Sequence, residues 1–99
     1  MKILVLPRRR AGVPLEAFQP HVTAEIQAVW NLYTQGICRE FYARTDQPGP
    51  AVLALECPTI EAAQAALATL PMVELGLLDL ELIPLAPFIH LTHLFQPAS

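Results

Sequence analysis

The side chains able to do chemistry cluster on one predicted strand and the helix before it. Arg39 and Glu40 are adjacent in Cys38-Arg39-Glu40-Phe41-Tyr42, and His21 is the fourth residue of the helical region Phe18–Gln35, which also carries Trp30 and Tyr33. A guanidinium among apolar neighbours needs an anion, supplied by a protein carboxylate such as Glu40 or Glu25, or by a ligand. A carboxylate in a partly dry site acquires a pKa near neutrality and can take a proton from carbon beside a carbonyl, a role open to Glu40. The plainer reading of Glu40 is an interface ion pair, for instance with Arg44. His21 is a second acid–base candidate, although a His beside Pro20 at a helix opening is commonly exposed. Trp30 and Tyr33 share the apolar helix stripe and, with Phe41, are expected to wall a cavity over the sheet or to fill the core.

Other reactive types carry less. His90-x-x-His93 is a pair without a third ligand on a proline-bounded tail, so no metal is expected. Cys38 and Cys57 lack zinc spacing, and Cys38 has no neighbouring His to activate it; both read as small, reduced core residues. Arg8-Arg9-Arg10 is the one basic run, read as a solvated loop. With six Lys and Arg against nine Asp and Glu, the chain lacks the cationic density that phosphate backbones require, which excludes nucleic-acid binding. The opening apolar run stops at Arg8, too short for a secretory leader, and the apolar stretch near the end is broken by Asp79, Glu81, Pro84 and Pro87, so no membrane span is expected. A cytoplasmic protein is the expectation.

These residues must be positioned by a small α+β scaffold. Lys2–Leu6 reads as an apolar, central strand ended by Pro7. Pro14 can open a helical turn, Pro20 delays the main helix, and Phe18, Val22, Ile26, Val29, Trp30 and Tyr33 recur at helical spacing until Gly36. Ile37–Arg44 and Ala51–Cys57 read as strands joined by the turn Asp46-Gln47-Pro48-Gly49-Pro50. Thr59 caps a second helix, Thr59–Leu70, ended by Pro71. Leu77–Ile83 alternates as a fourth strand. This βαββαβ order is the split βαβ, ferredoxin-like pattern, one domain over residues 1–99 with a four-stranded antiparallel sheet. Period two places Ile37, Arg39, Phe41, Leu53, Leu55, Leu78, Leu80 and Leu82 toward the helices, and Glu40, Tyr42, Glu56, Asp79 and Glu81 on the other face.

Apolar residues make up 54% of the chain and charged residues 15%, more apolar than ordinary soluble domains. The mixed far face of the sheet and the tail Phe88–Phe95 have no core of their own to join. A second copy of the chain is the expected partner, with residues 84–99 forming an arm on the neighbouring subunit.

From Ala24 onward the sequence resembles the muconolactone delta-isomerase family. The resemblance lies in a helix ending in Gln35-Gly36, Arg39 between aromatic-type positions, and Leu55-Glu56-Cys57-Pro58-Thr59 leading into an Ala/Leu helix. Leu70-Pro71 and Asp79-Leu80-Glu81-Leu82 complete it. Where the founding members read Trp-Arg-His-Leu-Trp, this chain has Cys38 to Tyr42, with Glu40 at the histidine position. The resemblance implies a dimeric α/β barrel and a cofactor-free isomerase of aromatic-compound catabolism, moving a proton within a small carboxylate-bearing lactone or enone. On that reading Arg39 holds the carboxylate and Glu40 or His21 moves the proton. The alternatives are a non-catalytic ligand-binding or assembly module, and a cofactor-free monooxygenase-like protein acting on a polycyclic phenol.

Overall fold

In a computed structural model describing residues 1–97, the chain runs β1 (Lys2–Arg9), α1 (Val22–Thr34), β2 (Cys38–Tyr42), β3 (Val52–Glu56), α2 (Ile60–Leu67), α3 (Pro71–Glu74) and β4 (Leu78–Leu85), with short 3₁₀ turns before α1 and after β4. The four strands form one sheet in the order β2-β3-β1-β4, every described pairing antiparallel. This is the ferredoxin-like α+β fold. Ile3, Val5, Leu53, Leu55, Leu67 and Leu70 lie at the heart of the core between sheet and helices. Of the arm expected over 84–99, Ala98 and Ser99 lie outside the described residues.

Helix boundaries follow local chemistry. The Thr59 hydroxyl accepts the Ala62 N–H at 3.0 Å and starts α2. Helix α1 ends where Gly36 takes φ +76°. There the Gly36 N–H reaches Tyr33 O and the Ile37 N–H reaches Leu32 O, the paired 5→2 and 6→1 bonds of a glycine-capped terminus. The same device recurs at Gly76, φ +73°, whose N–H bonds Val73 O while Leu77 N–H bonds Met72 O. Pro71 at the start and Gly76 just past the end thus delimit α3, a short helix absent from the sequence reading, which ended the helical region at Pro71.

Two further differences bear on function. Strand β1 continues through Pro7 to Arg9 along β4, so Arg8 and Arg9 belong to a strand rather than a loop, and Arg10 is tied to Asp79 at 3.0 Å. The β1–β3 ladder stops at Val5↔Leu53, two residues short of Pro7, which has no N–H to extend it. In β2, a bulge lies between Cys38 and Glu40, Cys38 pairing Leu55 and Glu40 pairing Ala54. The extra residue is Arg39. Strict alternation placed Arg39 toward the helices; the bulge gives that position to fully buried Cys38 and leaves Arg39 exposed.

Candidate functional site

Where β1 and β3 part, a cleft of about 390 Å³ opens between the sheet, α1, α3 and the loop at Gly49–Ala51. That is within the roughly 300–1,000 Å³ usual for small-molecule sites. Its floor is Val5, Pro7, Leu53, Leu78 and Leu80, and Val29, Trp30 and Met72 close its sides. Phe41 stands at its edge beside Trp30 and Ile26, all three more than 45% exposed.

Among the described lining residues, Glu25 alone has an ionisable side chain. It projects from α1, and its Oε1 accepts the Met72 backbone N–H at 2.9 Å. That bond satisfies one of the open donors of the first turn of α3, where no local side chain serves as cap. Removal from water raises the Glu25 pKa from its ordinary value, opposed by the Met72 bond. A carboxylate so placed is a stronger proton acceptor than one in water, and its second oxygen has no protein partner among the described hydrogen bonds.

The sequence-derived candidates divide. Trp30 and Phe41 line the cleft. Tyr33 lies behind them, stacked on Trp30 with ring centroids 5.1 Å apart and edge-on to Phe41 at 5.6 Å, so the three rings form one rigid wall. Arg39 is outside it: its Nε donates to Gly36 O at 2.7 Å, just past the end of α1. Glu40 lies on the open face of the sheet, opposite the cleft, where Tyr42 OH donates to it at 2.7 Å and Lys2 Nζ lies at 3.5 Å. Those two partners hold its pKa below the usual value, the Tyr42 bond first. The expected Glu40–Arg44 pair does not form; Arg44 pairs with Asp46. His21 sits in the turn before α1, also off the cleft.

Glu25 is the residue the sequence reading passed over as a possible site. Of the expected α1 stripe of Phe18, Val22, Ile26, Val29, Trp30 and Tyr33, Val29 packs on the core, Val22, Ile26 and Trp30 form the exposed rim of the cleft, and Tyr33 lies exposed behind it. The residues facing the sheet are Ala28, Val29 and Leu32, Leu32 being the one fully buried residue of α1. Glu25 precedes them at i−3, i−4 and i−7, in register with the buried stripe, and that register is the signal that marks it. Cys38 and Cys57 are both buried free thiols, each pushed up in pKa chiefly by burial. Among the described residues no group of three or more metal-ligating side chains assembles, and no helix is long and apolar enough to cross a membrane.

No protein-family model matches the chain, and no curated protein sequence matches it. Among solved structures it is similar to 5-chloro-2-hydroxyhydroquinone dehydrochlorinase from Burkholderia phenoliruptrix AC1100, in complex with 2,5-dihydroxybenzoquinone. The TM-score is 0.68 at 15% identity, over 91% of this chain and 98% of that one. At that identity the likeness establishes the shared ferredoxin-like fold.

Proposed function

We propose that the chain is an enzyme of aromatic-compound catabolism that moves a proton on a small ring-shaped substrate without a cofactor, with Glu25 as the base. The carrying observation is a lone carboxylate of raised pKa in an otherwise apolar cleft. Glu25 takes a proton from a carbon next to or conjugated with a carbonyl. The C–H electron pair becomes the enolate or dienolate, and return of the proton at another carbon completes the isomerisation. Trp30 and Phe41 hold the ring, and Tyr33 keeps Trp30 and Phe41 in place.

The muconolactone delta-isomerase likeness supports this class of reaction, with two changes of detail. Arg39 lies outside the cleft and no cationic side chain lines it among the described residues, while Glu25 itself repels an anion. The substrate we favour is therefore an uncharged lactone, enone or hydroxylated ring rather than a carboxylate-bearing one. The solved structure of similar fold, holding a dihydroxybenzoquinone, supports a ring of that size and polarity. Glu40 and Tyr42, on the opposite sheet face, fit an interface between two copies.

The test is a panel of uncharged lactones, enones and dihydroxylated aromatics beside carboxylated counterparts, followed by absorbance and by proton exchange into the ring. Turnover of an uncharged member that Glu25→Gln abolishes, with binding retained, is the expected outcome. Turnover unchanged in Glu25→Gln reduces Glu25 to a helix cap and refutes the assignment. Binding without turnover in the native chain would favour the ligand-binding module.

A further inference from the structure

The residues after β4 leave the body of the molecule. Ile89–Phe95 form a 3₁₀ segment, every apolar side chain from Phe88 to Phe95 is exposed, Phe95 at 82%, and the molecule measures 62 Å along its longest axis against 29 and 20 Å. Its radius of gyration is 16.6 Å, where a compact chain of this length has about 13 Å. A second apolar surface is equally uncovered: the cleft mouth, where Ile26 is 64% and Trp30 51% exposed.

These two surfaces do not meet within one molecule in this arrangement, where both stay exposed. The register Lys2↔Leu85 and Arg9↔Leu78 puts the arm's root and the cleft at opposite ends of β4. Seven residues of strand separate them, roughly 23 Å at ~3.3 Å per residue. The arm also does not suit the open sheet face, which presents Lys2, Arg8, Glu40, Glu56 and Glu81. From Phe88 to Pro97 it carries no Lys, Arg, Asp or Glu to answer those charges. The mouth of the cleft, uncharged apart from Glu25, is the surface that matches it.

We propose that the arm of a second copy of this chain lies across the cleft mouth, its Phe88, Leu91 and Phe95 packing on Ile26, Trp30 and Phe41, so that each site is closed by its partner. The proposal rests on the reading of the cleft as the binding site and adds the group that excludes water from it. The arm is the lid, and exchange between copies supplies the apolar contacts that neither surface finds alone.

Trp30 is the sole tryptophan and reports this directly, without ligand or substrate. In the full-length oligomer its emission is expected to be blue-shifted, and acrylamide quenching several-fold weaker than in Leu91→Glu/Phe95→Glu, with molar mass followed by light scattering. Mixing that arm variant with a Trp30→Phe chain, which has an intact arm and no tryptophan, should restore protection. Mixing it with a chain carrying all three substitutions should not. Equal quenching in native and arm-variant oligomers, no protection in the first mixture, or equal protection in both would each overturn the proposal. So would a monomeric native chain with freely quenched Trp30. All these readouts are independent of turnover, so failure of the catalytic reading leaves them interpretable.

Discussion

A carboxylate is made useful by what surrounds it. Glu25 and Glu40 have the same side chain and opposite environments: one is lifted in pKa by burial, the other lowered by a tyrosine hydroxyl and a lysine. Glu25→Gln should lower turnover about 10²–10⁴-fold, the usual share of a general base. Glu40→Gln should leave the cleft's chemistry within a few-fold of native, as kinetics on the same substrate will show. The native rate should rise with pH as Glu25 loses its proton, through a midpoint above the ordinary carboxylate value of about 4.3. Stability runs the other way. A folded pKa above the unfolded one gives a contribution that is complete below the unfolded value and lost as pH rises through the folded one. Glutamine can still accept the Met72 N–H, so Glu25→Gln should match native stability in acid. Its advantage should grow across that window and then level, which denaturant melts at a series of pH values will check.

At the level of elements, the ends of helices are where sequence and structure agree most closely. Thr59→Ala should cost ~1 kcal/mol by loss of the cap to Ala62. Gly36→Ala should cost about 1–2 kcal/mol because an alanine must enter the left-handed region; urea midpoints measure both. The succession of strands and helices along the chain, the Thr59 cap and the Gly36 stop were all legible because each depends on local chemistry or on alternation. The site was less so, for identifiable reasons. Alternation fails at Arg39 because a bulge adds one residue, and nothing local to Cys38-Arg39-Glu40 announces it. The α1 stripe was misassigned because an apolar cleft rim has the same periodicity as a core face. Two nonpolar faces on one helix leave Glu25 the informative residue, as the polar member of the stripe that ends in Leu32. Helix α3 was missed because its four residues give no period, although Pro71 and Gly76 bracket it.

For the molecule as a whole, the open face of the sheet combines Leu4, Leu6 and Val52 with ionic side chains, a composition suited to pairing with another copy. Replacing Leu6 and Val52 together by glutamate should leave a monomer by light scattering if the sheets pair. It should leave the mass unchanged if the arm alone joins subunits. The parting of β1 from β3 at Pro7 has a consequence for motion as well as for shape. The Ala51 backbone amide lies beyond Val5↔Leu53 at an unzipped seam, so it should exchange with deuterium through small local openings, whereas those of Ile3 and Leu55 should wait for global unfolding. A chain with valine in place of Pro7 could close that seam. Slower exchange and a higher melting temperature, bought with a vanished cleft, would identify this proline as the residue that keeps the fold from finishing its own sheet.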